Sequence, residues 1–162
     1  MEGSDLKILV VYDSKGGSTE KMAFAVAKGA EAEGAQVAVK RAENVQLEDF
    51  KDADGVVMGS PTYFGQMSSN LKHAIDDSIQ VHTKLTGKVG AAFTSSGGTA
   101  SGAETTLLSI LQAMLIHGMI IQGNAEDQHY GVAAKGKPKP SDLRACEELG
   151  IRVAQLVNQL RR

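Results

Sequence analysis

The chain has 162 residues, 42% of them hydrophobic and 22% charged, enough apolar material for one domain with a substantial core. A formal charge of −2 excludes the basic field of a nucleic-acid binder, and the imbalance between residues 1–81 (8 basic, 13 acidic) and 82–162 (9 basic, 6 acidic) is too mild to name a partner. Cys146 is the one cysteine, which excludes an internal disulfide, and no apolar run reaches the ~18 residues of a membrane span, so the expectation is a cytoplasmic protein of one domain over residues 1–162.

Two periodicities alternate along the chain. Residues 6–12 are a continuous apolar run rich in Val and Ile, which predicts a strand covered on both faces. Residues 18–33 predict a helix with Met22, Val26, Ala27 and Ala30 on one face and Gly34 as its stop. Residues 36–40 predict a short strand, 45–51 a loop with at most one helical turn, 55–59 a second buried strand, and 69–78 a helix. Residues 89–93 predict a third apolar strand, and 104–117 the clearest helix, with Leu107, Leu108, Leu111, Met114 and Leu115 at helical spacing before Gly118. Residues 119–122 predict a strand and 123–140 a long loop; Ser141 is expected to cap a last helix ending near Leu160. Strand and helix repeated five times, with helix-length crossovers, predict an α/β fold: a doubly wound parallel sheet of five strands with helices on both faces.

In such sheets ligands sit at the carboxyl ends of the strands. The loops expected there, 13–18, 60–68 and 94–103, are all rich in Gly, Ser and Thr. The first, Ser14-Lys15-Gly16-Gly17-Ser18-Thr19, lies between a strand and a helix, where glycines bring backbone N–H groups to an anion and the helix start adds free donors and a favourable dipole. Ordinary loop and cap chemistry uses the same residues, so the loop gains weight only from its two companions. Lys15 is expected to point into solvent, and Asp13 to stabilise the turn and not to touch an anion. Lys135, Lys137 and Lys139 around Pro138 and Pro140 read as a basic, extended, solubilising loop.

The first loop resembles the phosphate loop of flavodoxins, with Gly16 where those proteins usually carry Thr. Gly59-Ser60-Pro61-Thr62-Tyr63-Phe64-Gly65-Gln66-Met67 is similar to the second loop of flavodoxin-like flavoproteins. Phe93-Thr94-Ser95-Ser96-Gly97-Gly98, then Gly102-Ala103-Glu104-Thr105-Thr106-Leu107-Leu108 and His117-Gly118-Met119, resemble the WrbA-type NAD(P)H:quinone oxidoreductases. The resemblance covers nearly the whole chain and implies a flavodoxin-like fold with noncovalent FMN. It places the FMN phosphate on Ser14, Lys15, Gly16, Gly17, Ser18 and Thr19. The flavin ring would lie between Ser60, Pro61, Thr62, Tyr63, Phe64 and Gly65 on one side and Thr94, Ser95, Ser96, Gly97, Gly98, Thr99 and Gly102 on the other. Tyr63 or Phe64 is the aromatic available to stack on the ring, and backbone N–H groups of 95–99 would face its pyrimidine end. WrbA-type proteins are longer and form tetramers, so a homo-oligomer is one expectation.

Two functions follow from the resemblance. In one, the chain is an enzyme in which FMN takes a hydride from NAD(P)H and passes two electrons to a quinone-like acceptor, with no side chain needed as a catalytic acid. In the other it is a flavodoxin-type carrier of single electrons between redox protein partners, although such carriers are usually strongly acidic. A flavin-free receiver domain would need an Asp at the end of the third strand, where this chain has Met58-Gly59-Ser60. No metal-ligand spacing appears. Asp76-Asp77 and Glu147-Glu148 read as solvated helix faces, and His73 and His82 as solvated. His117 is expected to be a cation at a helix C-terminus, and His129 with Tyr130 lies in a loop that could reach the edge of the site.

Overall fold

The computed structural model describes residues 5–162. Its elements, in chain order, are β1 (Lys7–Tyr12), α1 (Ser18–Ala32), β2 (Gln36–Arg41), α2 (Leu47–Asp52), β3 (Gly55–Pro61), α3 (Ser69–Asp77), β4 (Val89–Ser96), α4 (Ala103–Ile116), β5 (Ile120–Ile121), β6 (Val132–Lys135) and α5 (Pro140–Leu160). All strand pairings are parallel and the order is β2-β1-β3-β4-β5, with β6 also on β4. The direction of winding reverses between β1 and β3, so the crevice of this sheet lies where the chain leaves those two strands.

The apolar runs form strands because each alternate side chain has a helix layer to enter. Ile8, Val10, Val57, Ala91 and Phe93 face α1 and α5; Leu9, Val11, Val56, Met58 and Ala92 face α2, α3 and α4. The first layer depends on a close helix crossing. A Cβ on Gly29 of α1 would lie 1.9 Å from the Glu147 carbonyl oxygen, and one on Gly150 of α5 would lie 2.0 Å from that of Val26. Two glycines that cost each helix about 1 kcal/mol in propensity therefore let the backbones touch. Cys146 is buried in the same layer, and burial first, then nearby Asp142 and Glu147, pushes its thiol up to about 12.

Several local expectations change. Residues 42–52 hold a 3₁₀ turn and the helix α2, fixed by Gln46 N–H donating to Asp49 Oδ2 (2.7 Å). The fifth strand is split: β5 is two residues long, and β6 lies inside the stretch 123–140 expected to be all loop. Both segments pair with β4, one beside Val89–Gly90 and the other beside Phe93–Ser96. A run as short as Val132-Ala133-Ala134-Lys135 carries little period of its own, so β4 decides its state. Helix α5 starts at Pro140 with Lys139 as its cap, whose N–H donates to Asp142 Oδ2 (2.8 Å); Ser141 does not cap it. Strands β3 and β4 run on to Pro61 and Ser96, so several residues expected in loops are strand ends. Among the described residues no helix is long and apolar enough to cross a membrane.

His117 corrects another expectation. It ends α4 but is buried, its Nε2 is 2.7 Å from Ser78 Oγ, and its Nδ1 has no partner among the described residues. Burial first, then the nearby His82, lowers its pKa below the ordinary 6.5, so it is neutral and not a cation on the helix dipole. A base held neutral in the fold contributes stability above pH 6.5 that is lost as pH falls through the lower folded value. The urea midpoint is therefore expected to drop between about pH 7.5 and 5.5, and the drop to shrink in His117→Gln. At the helix crossing, Gly29→Ala should destabilise by about 1–3 kcal/mol in urea titration, although alanine is the better helix former.

Candidate functional site

The first loop is folded by its own side chains. Asp13 is buried; its N–H donates to the Gly59 carbonyl (3.1 Å) and its Oδ1 accepts from Asn70 Nδ2 (3.3 Å), which bears out a turn-holding role. Ser14 Oγ accepts the Gly17 N–H (3.1 Å), closing a turn. Gly17, in the left-handed region at φ 92°, opens α1. The N–H groups of Ser18, Thr19 and Glu20 then have no preceding helical carbonyl to accept them. Thr19 is buried, and its Oγ1 lies 2.8 Å from Ser95 Oγ, which ties the start of α1 to the end of β4.

The second and third loops are bound to each other by hydroxyls. Thr94 Oγ1 donates to the Ser60 carbonyl (2.7 Å) and lies 2.8 Å from Thr62 Oγ1, while Thr62 N–H donates to the Ser95 carbonyl (2.7 Å). Ser60 Oγ accepts the Ser68 N–H (2.8 Å), fixing the return of the loop into α3. At the tip, Tyr63 and Gln66 exchange N–H···O bonds of 2.9 and 3.0 Å around Phe64 (φ 52°) and Gly65 (φ 75°), a two-residue turn of the mirror-image kind. Thr105 Oγ1 donates to the Gly65 carbonyl (2.7 Å). A Cβ on Gly102 would lie 2.4 Å from Gly65 Cα, so the two loop tips meet through a pair of glycines.

One cleft opens between these loops. Ser14, Lys15, Gly16, Ser18 and Thr19 line one wall, Pro61, Thr62 and Tyr63 a second, and Ser95, Ser96 and Gly97 a third. The other sequence candidates stand elsewhere. Ser60 and Thr94 are fully buried behind the wall and hold it. Gly17 caps α1, Ser96 Oγ bonds the Gly98 carbonyl (3.1 Å), and Phe64, Gly65, Thr99 and Gly102 lie beyond the cleft lining. Phe64 is wholly exposed, at 104% relative accessibility, so it packs on nothing in the chain. Gly136, which follows β6, lines the cleft too, its N–H donating to the Ser96 carbonyl (2.7 Å). Sequence reading missed it; its signal was a glycine directly after the short Val-Ala-Ala-Lys run. His129, with its Nδ1 2.6 Å from the Asn124 carbonyl, lies with Tyr130, Glu104 and Leu107 around a separate hollow beside α4.

The cleft has the chemistry of an anion site. Among the described residues its lining contains one ionisable cation, Lys15, and no carboxylate. Lys15 is exposed, and its Nζ stands 5.9 Å from the Tyr63 ring centroid across the opening. Asp76 and Asp77 lie on the exposed face of α3, away from the cleft, where Lys72 and His73 pair with them. Gly16 and Gly97 both line the cleft, and a Cβ on either would meet nothing within 4 Å. Backbone N–H donors at a helix start, an open cradle over glycines and an adjoining aromatic suit a phosphorylated, ring-bearing group such as FMN.

The NADPH-dependent FMN reductase family model matches residues 44–127, more than half of the chain. The chain belongs to that family. An NAD(P)H dehydrogenase (quinone) of Archaeoglobus fulgidus is 38% identical, the match covering 95% of this chain and 98% of that protein. A flavodoxin of Aquifex aeolicus is 37% identical over 93% of this chain and 86% of its own. Among solved structures, a WrbA-like flavodoxin from Agrobacterium tumefaciens superposes with a TM-score of 0.83 at 26% identity, covering 96% of this chain and 99% of that one. An archaeal flavodoxin gives 0.80 at 29%, covering 94% and 99%. The flavodoxin-like fold expected from the sequence is therefore the fold of this FMN reductase family member.

A bulky residue at positive φ is strained by about 1 kcal/mol, and Phe64 recovers none of it by packing. In this family member Phe64→Asn would place the favoured Asn-Gly pair in the turn. It is expected to raise stability by about 1 kcal/mol, read from the urea midpoint.

Proposed function

We propose that this chain is an FMN-dependent oxidoreductase that takes two electrons from NAD(P)H and delivers them to a quinone-type acceptor. The observation that carries this reading is the cleft at the switch point of the sheet, opened by helix-start N–H donors and lined, among the described residues, by no carboxylate. Family membership and the similarity to an NAD(P)H dehydrogenase (quinone) support the same chemistry.

In this reading the backbone from Ser14 to Thr19 holds the FMN phosphate. Pro61, Thr62 and Tyr63 form one wall for the ring, and Ser95, Ser96, Gly97 and Gly136 the other. Gly98, Thr99, Gly102 and Gly65 shape the rim, and exposed Phe64 is free to fold over a bound ring or substrate. The chemistry supplied by bound FMN is hydride acceptance and electron release. The protein's share is positional: hydroxyl bonds fix the walls, and the strained tip keeps an aromatic at the opening. Among the described residues no acidic side chain lines the cleft, so none is assigned a catalytic proton.

The similarity to the Aquifex flavodoxin favours a second reading, transfer of single electrons between protein partners. Anaerobic titration of the FMN-loaded protein separates the two. The enzyme reading expects NADH or NADPH to bleach the flavin band in one two-electron phase and benzoquinone to restore it with repeated turnover. Bleaching by dithionite alone, with neither nucleotide effective, would overturn it in favour of the carrier.

A further inference from the structure

An arginine grips the phosphate loop from behind. Arg41 is the last residue of β2 and the register partner of Tyr12. Its guanidinium crosses the Tyr12 ring at 5.2 Å, and Nη1 donates to the Ser14 carbonyl (3.1 Å) while Nη2 donates to Glu20 Oε2 (2.8 Å). Tyr12 Oη donates to the same carboxylate oxygen (2.7 Å). Burial first, then the Glu20 hydrogen bond, pushes the Tyr12 phenol up to about 12, so it stays a donor. Phe24 stands against the Tyr12 ring as well, tilted by 59° at 6.4 Å between centroids.

We propose that Arg41 is the positioning residue of the phosphate loop, acting on a bound phosphate through the Ser14–Lys15 peptide and not by contact. A trans peptide is planar, with its C=O and N–H pointing in opposite directions. A guanidinium on the Ser14 oxygen therefore turns the Lys15 N–H away from β2 and polarises it as a donor. Lys15 and Ser14 both line the cleft. The same side chain solves a second difficulty. Glu20 sits in the first turn of α1, where its charge would oppose an anion bound at that helix start. Arg41 and Tyr12 together neutralise that carboxylate and hold it on the β2 side. Arginine is required because one flat fork reaches a carbonyl and a carboxylate at once while its stem and plane lie on an aromatic ring; lysine offers a single point of charge.

The inference rests on the reading of this loop as the holder of the FMN phosphate, and its test compares FMN with riboflavin, which has the same ring and no phosphate. Dissociation constants for both are measured by quenching of flavin fluorescence in the wild type, Arg41→Met and Arg41→Lys, with far-UV circular dichroism and urea midpoints as folding controls. Arg41→Met is expected to weaken FMN by about tenfold or more, the worth of a charge-assisted hydrogen bond, and to leave riboflavin within about twofold. Arg41→Lys should fall between the wild type and methionine for FMN alone. Equal weakening of both ligands, or an unchanged FMN constant, overturns the proposal. If Arg41→Met does not fold, Arg41→Lys decides on the same criterion. A wild type that binds riboflavin as tightly as FMN would instead overturn the phosphate reading of the loop, whatever the variants do.

Discussion

The cleft depends on hydroxyl groups at the end of β4. Thr94 bonds the Ser60 carbonyl and Thr62, and Ser95 bonds Thr19 across the sheet, so three chain segments far apart in sequence are joined at one edge. Thr19, Ser60, Thr94 and Ser95 are buried and Thr62 half-buried; a buried, unpaired hydroxyl would cost about 1–3 kcal/mol, so the network is stable only when its members meet. The result is a cleft whose walls are set before any ligand arrives. A phosphorylated ligand then meets donors already aimed, and little ordering cost remains to oppose binding.

That rigid wall stands beside a strained tip. The second loop begins in fully satisfied strand and ends in a two-residue turn that holds an exposed phenylalanine at positive φ. Strain of this kind persists where the surroundings impose it: the Tyr63–Gln66 pair and the Gly65–Gly102 contact fix the turn on both sides. The two halves of the loop differ: the first is held in shape by buried bonds, and the second carries an exposed aromatic. The first loop repeats this division, with Gly16 lining the cleft and Arg41, Glu20 and Tyr12 bracing the loop from behind.

Much of this was legible in the chain. The apolar runs of β1, β3 and β4 carried their own signal because strands buried on both faces leave no polar alternation to confuse them. The first loop was readable only together with its two companions, because glycine and hydroxyl residues between a strand and a helix also serve ordinary turns and caps. Other features were hidden for identifiable reasons. β6 has too few residues to declare a period, and Gly136 behind it looked like an ordinary turn glycine. His117 resembled a helix-end cation because nothing local tells that Ser78 and His82 close over it.

The sequence by itself determined the strand–helix alternation, the parallel sheet and the identity of the three loops, since these follow from hydrophobic period and local backbone chemistry. Only the tertiary structure decided which of the candidate residues face the cleft and which stand behind it. Ser60 and Thr94 went into the wall, Phe64 beyond the cleft lining and Arg41 to the back of the first loop. The physical reason is that parallel pairing sets residues beside one another across strands: Arg41 beside Tyr12, Ser60 beside Thr94 and Ser96 beside Lys135. Those neighbours, distant along the chain, choose each side chain's partner.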